Sequence, residues 1–96
     1  SISAAKGAIE GLTRSLSAEL APRVKVNCIA PSLTDTPLAE KLLGTDDRRQ
    51  SANERHSLKR VGQPEDLASM ATYLLMQDNG WITGQILGID GGMSAH

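Results

Sequence analysis

The sequence predicts an α/β fold built on a parallel strand pair, on three observations. Two short apolar runs, VKVNCIA (24–30) and ILGID (86–90), carry the branched residues and the Pro or Gly borders of buried strands. The stretch between them closes with a helix pattern, and parallel strands need a crossover of that kind. A further helix pattern over 3–21 precedes the first strand. The expected order is helix, strand, short helices, helix, strand. Two strands alone do not make a stable parallel sheet, so the pattern implies neighbours beyond this pair.

In the first helix Ile9, Leu12, Leu16 and Leu20 form a bulky stripe, with small residues such as Ala8, Gly11 and Ala18 beside it. Lys6, Glu10, Thr13 and Ser17 complete a polar third face, and Pro22 ends the helix. The bulky and small faces are expected to pack. PSLTDTP (31–37) reads as a loop. Residues 38–60 hold one or two short helices around Leu38, Leu42 and Leu43, then GTDDRRQSANERHSLKR, a charged stretch expected to be mobile and solvated. Pro64, Glu65 and Asp66 open the next helix, with proline and acids in its first turn. Leu67, Met70, Ala71, Leu74 and Leu75 supply its buried face, and Asn79-Gly80 stops it.

Ninety-six residues amount to one small domain or part of a larger one. Tyr73 and Trp81 are the only aromatics, so the core must come from aliphatic residues and many alanines. The net charge of −1, with signs interspersed, gives no basic surface for nucleic acid. No apolar run approaches the ~20 residues of a membrane span. The single Cys28 excludes an internal disulfide and fits a reducing, cytoplasmic setting. The chain lacks an initiator Met and opens directly in helix, which predicts a beginning upstream.

Several chemistries are disfavoured. His56 and His96 are far apart and lack cysteine or carboxylate neighbours at metal-ligand spacing, so no metal site is expected. There is no nucleophile-elbow motif and no Gly-rich phosphate turn. Tyr73 reads as core or interface packing and Cys28 as a small strand hydrophobe. The loop after the first strand carries more, because ligands of open α/β sheets bind outside the carboxyl ends of the strands. Ser32, Thr34, Asp35 and Thr36 lie there. A polar turn that holds no ligand would use the same residues.

AAKGAIEGLTRSLSAELAPRVKVNCIAPS (4–32), RVGQPEDLASMATYLL (60–75) and ITGQILGIDGG (82–92) together resemble the C-terminal part of the short-chain dehydrogenases/reductases. The resemblance covers essentially the whole chain and is weakest over 38–57. It implies that residues 1–96 are the C-terminal fragment of one Rossmann-like, doubly wound parallel sheet. It also implies NAD or NADP as cofactor and a carbonyl or alcohol as small-molecule substrate. Lys6 matches the lysine of the family's Tyr-x-x-x-Lys motif, where it binds the nicotinamide ribose and lowers the tyrosine pKa. A cation beside a phenol favours the phenolate, which suits acid–base work on a carbonyl. Pro31 and Ser32 fall on the family's Pro-Gly pair. Leu33, Thr34 and Thr36 follow in the loop whose backbone and hydroxyls contact the carboxamide and phosphate of the cofactor. Asp90, Gly91 and Gly92 match the close of the last strand.

Two positions depart from the pattern. Ser32 replaces a glycine and restricts the backbone. Ile2 stands at the tyrosine position and has no proton to give. Three readings follow: a C-terminal piece of an NAD(P)-dependent oxidoreductase, a non-catalytic binding or oligomerisation module, or an enzyme whose acid lies upstream. The chain by itself is expected neither to bind nicotinamide cofactor tightly nor to reduce carbonyls. It is expected to self-associate through the first helix and the sheet edge.

Overall fold

The computed structural model describes residues 2–95, with Ile2 described by its backbone alone. Helix α1 runs Ile2–Leu20 and strand β1 Cys28–Pro31. A 3-10 turn at Pro37–Ala39 leads into α2, Glu40–Leu43, and α3, Asp46–Arg55. Helix α4 spans Pro64–Leu75, strand β2 Ile86–Ile89, and a second 3-10 turn Met93–Ala95. The strands pair in parallel, Cys28 opposite Ile86 and Pro31 opposite Ile89, as the crossover pattern predicts.

α1 packs on a different face from the one its stripes suggest. Thr13 and Ser17 are buried, whereas Ile9 and Leu12 are more than half exposed. The two hydroxyls donate back to their own helix, Thr13 Oγ1 to the Ile9 carbonyl and Ser17 Oγ to that of Arg14, each at 2.8 Å. Satisfied in this way, they can be buried at little cost. Gly84 (φ +73°) makes the approach possible, since a Cβ there would lie 2.8 Å from Ser17 Oγ. Ile9 and Leu12 of the bulky stripe are left facing outward, while Leu16 and Leu20 are half-buried.

The turn after α1 returns the chain through Arg23 and Val24 N–H bonds to the Leu20 carbonyl, both 3.0 Å. The strand is shorter than the apolar run 24–30 because its first half meets a bend instead of β2. Val26 N–H donates to Thr83 Oγ1 at 3.1 Å, and Gly84 N–H to the Val26 carbonyl at 2.8 Å. Asn27 clamps the same bend with both ends of its amide. Its Nδ2 donates to the Ile82 carbonyl at 3.0 Å and its Oδ1 accepts from Gln85 N–H at 3.1 Å.

The charged stretch 44–60 is ordered, against expectation. Thr45 caps α3 by accepting the Arg48 N–H at 3.1 Å. Asp46 and Asp47 stand in its first turn and Arg55 in its last, all favourable to the helix dipole. Only one narrow side of α3 faces inward, which is why composition hid it. Ala52 is fully buried there and joins Ala39, Leu43 and Val61 in the core, with Leu33 packed against them. Leu38 and Leu42 of the expected short helices point outward.

α4 begins as expected, with Gln63 N–H donating to Asp66 Oδ2 at 2.7 Å and Pro64 in the first turn. It stops at Leu75, short of Asn79-Gly80, and Leu75 is exposed rather than buried. Trp81 is wholly exposed. The Cα radius of gyration is 15.4 Å, against roughly 13 Å for a compact chain of this length. The core therefore lies beneath the loop after β1, while much of the sheet and α1 still presents apolar surface.

Candidate functional site

The segment Pro31–Thr36 leaves the carboxyl end of β1 and is held from three directions. Gly62 pairs with it as a short parallel bridge, its N–H donating to the Leu33 carbonyl at 3.0 Å and its carbonyl accepting from Asp35 N–H at 2.8 Å. Arg49 of α3 forms a 3.0 Å ion pair with Asp35. Leu33, half-buried, packs its side chain against the core while lining the cleft beside the loop. Thr34 Oγ1 donates to the Ser32 carbonyl at 3.1 Å and tightens the turn. Thr36, in extended conformation, precedes the 3-10 turn, and its hydroxyl carries no hydrogen bond among the described residues.

The third hold falls on Ser32. Its Oγ lies 3.0 Å from His56 Nε2 and 2.9 Å from Met93 Sδ. His56 is 1% exposed, and its Nδ1 lies 2.7 Å from the Ala52 carbonyl. A carbonyl only accepts, so Nδ1 carries a proton, and in the tautomer with that proton alone Nε2 accepts from Ser32 Oγ. The sequence reading assigned His56 no role beyond excluding a metal. The available signal was its position four residues after the small Ala52 on a helix, where an imidazole can reach back to the i−4 carbonyl.

Lys6 lies on the same face of α1 as Thr13 and Ser17 and is exposed. Ser17 sits level with Gly84, which bonds Val26. The turn sends β1 back along α1, and at ~1.5 Å per residue Lys6 lies roughly 16 Å beyond Ser17. Val26 to Ser32 is roughly 20 Å of extended chain. Lys6 thus stands toward the end of the sheet where the loop begins. Ile2 precedes it by one turn, but its side chain, like Ser1 and His96, is outside the described residues.

A cavity of about 330 Å³ opens beside the loop, lined by Ser32, Thr34, Arg60, Gly62 and Asp66 among others. Arg60 meets Asp66 through both guanidinium nitrogens, at 2.7 and 3.0 Å. The Arg60 hydrogen bonds first, then the Gln63 N–H, lower the Asp66 carboxyl to about 2. A carboxyl depressed in the folded state contributes stability that is complete above about pH 4 and lost as pH falls through 2. Asp66→Asn should lower stability slightly above about pH 4, flatten the stability slope between pH 4 and pH 2, and converge with wild type below that. Urea unfolding across pH 2–6 checks this, and the pair's exposure to solvent keeps the effect small. At the end of β2, hydrogen bonds from Ser94, then from Gly92 N–H, hold Asp90 below the usual carboxylate range. No group of three or more metal-ligating side chains occurs among the described residues. None of their helices is long and apolar enough to cross a membrane.

A family model described as enoyl-(acyl carrier protein) reductase matches residues 1–94. Proteins named as short-chain dehydrogenases/reductases recur among both sequence relatives and solved structures. The chain belongs to the short-chain dehydrogenase/reductase family. Tropinone reductase-like 3 of Erythroxylum coca is 41% identical over 87 residues, covering 91% of this chain and 34% of that relative. The structure of 4-hydroxyisoleucine dehydrogenase complexed with NADH superposes with a TM-score of 0.89 at 32% identity, covering 97% of this chain and 39% of that one. ElxO with NADP bound gives a TM-score of 0.83 at 31% identity, covering 95% and 38%. The chain spans about a third of the length of the short-chain dehydrogenase/reductase relatives it matches. Its helices and parallel strand pair are a fragment of their Rossmann fold.

Proposed function

We propose that this chain is the C-terminal part of a single Rossmann domain in an NAD- or NADP-dependent oxidoreductase that interconverts a carbonyl and an alcohol. The observation that carries the reading is the pinned loop Pro31–Thr36 at the carboxyl end of β1, in a chain that matches the family throughout. The site's chemistry fits such a cofactor. The Thr36 hydroxyl, the Leu33–Thr34 backbone held by Gly62, and the Lys6 ammonium would hold the phosphate, the carboxamide and the ribose hydroxyls of such a cofactor. The nicotinamide supplies the hydride equivalent when bound, and this chain's residues bind and orient it. Ile2 provides no proton.

Further readings attach to the whole protein. The outward Ile9 and Leu12 and the open edges of the strand pair support burial against further strands and a second copy through α1. The lone, unpaired Cys28 supports a cytoplasmic setting.

Fluorescence titration of NADH and NADPH into the full-length protein tests the function. Lys6→Ala should weaken the preferred cofactor by about 10–100-fold, the worth of charged hydrogen bonds to ribose. Wild-type protein that binds neither nucleotide would overturn the proposal.

A further inference from the structure

We infer that His56 is a positioning residue for the loop after β1, acting through the Ser32 hydroxyl to set how that loop meets the nicotinamide end of the cofactor. The inference rests on the cofactor reading above and adds to it a residue remote from the loop in sequence.

Ser32 opens the loop, and its backbone leads directly into Leu33 and Thr34. A serine there has a hydroxyl to place, and where it is placed decides the direction in which the following backbone leaves the strand. Both atoms within reach, His56 Nε2 and Met93 Sδ, belong to the segment 56–62 and to the turn after β2. The imidazole is the stronger acceptor. It is also the better fixed of the two. Its other nitrogen is anchored on Ala52, the most buried residue of α3. The residues after it are tied to the turn that follows β2, Leu58 N–H to the Gly91 carbonyl at 2.9 Å and Ser57 Oγ to that of Gly92 at 3.2 Å. Gly91, at φ +61°, turns the chain beside the ring at contact distance, a Cβ there lying 3.4 Å from His56 Cδ2.

A buried histidine with both nitrogens bonded can also be only a satisfied core residue, and the two roles separate by which nitrogen matters. Asparagine reproduces the position of Nδ1 and keeps the bond to Ala52. Glutamine reproduces that of Nε2 and keeps the bond to Ser32. A core role makes the two substitutions alike. A positioning role makes cofactor binding follow Nε2.

The test is NAD(P)H titration of the full-length protein and its His56→Asn, His56→Gln and Ser32→Ala variants, with urea unfolding of each. His56→Asn and Ser32→Ala are expected to weaken binding by about 5–10-fold, while His56→Gln stays within about twofold of wild type. Both His56 variants should lower the unfolding midpoint to a similar extent. Ser32→Ala combined with His56→Asn should bind no more weakly than the worse single variant, because both remove one interaction. Equal binding by the Asn and Gln variants, or additive losses in the double variant, would overturn the role while leaving the cofactor reading intact. A wild type that binds no cofactor would overturn both.

Discussion

Ile2→Tyr in the full-length protein is expected to raise NAD(P)H-dependent carbonyl reduction by on the order of 10²-fold or more, the usual contribution of a placed general acid. Two features of α1 make this so. Positions 2 and 6 are four residues apart in one continuous helix, so they lie one turn apart along one face. Lys6 stands toward the ligand end of the sheet. A phenol at position 2 would then lie beside an ammonium, which lowers its pKa toward the working pH and lets it give a proton to a carbonyl oxygen. The readout is kcat at saturating cofactor. Cofactor affinity should change little, because the substitution adds a proton donor and leaves the loop untouched. Rapid turnover by the wild type, unchanged in the variant, would mean that a residue upstream of Ser1 already serves as the acid.

Gly92→Ala should cause the largest loss of stability, about 2–5 kcal/mol. Gly92 has φ +87°, where an L-residue costs roughly 1–2 kcal/mol. The new Cβ would also lie 2.6 Å from Ser57 Cβ. A Cβ cannot rotate out of the way, so the turn after β2 must separate from the segment 56–62, and overpacking of that kind adds typically 1–3 kcal/mol. Gly7→Ala is the matched control. A Cβ there meets nothing within 4 Å, and helix propensity favours alanine by up to ~1 kcal/mol. Urea midpoints of the two variants should move in opposite directions.

The parallel pair, the order of elements and the start of α4 were legible because each rests on local chemistry: branched runs, Pro and Gly borders, a proline with acids in the first turn. The burial of α1 was not. A stripe of large residues normally marks the packed face, but here Thr13 and Ser17 satisfy their own hydroxyls and a glycine opposite admits them. α3 was missed for a related reason. Its caps were present in Thr45, Asp46, Asp47 and Arg55, yet a helix that buries little beyond one alanine has almost no apolar period to detect. In the candidate site, Pro31 to Thr36 were located by family resemblance and by their place after a strand. The Gly62 bridge, the Arg49–Asp35 pair and the His56 contact join residues far apart in sequence, and no local pattern announces them.

Asn27 gives the strand pair something that its backbone ladder lacks. Parallel strands of four residues can slide past one another with little change in hydrogen bonding, and a slip of one position reverses every side chain. The Asn27 amide, joined to Ile82 on one side and Gln85 on the other, fits the bend before β2 in a single alignment. It works as the zero mark of a ruler whose reading is taken roughly 16 Å away. There Ser32 must arrive opposite Met93 and His56, with its hydroxyl on the correct side. The accuracy of the loop is thus set at the opposite end of the sheet, by a side chain that touches nothing in the cleft.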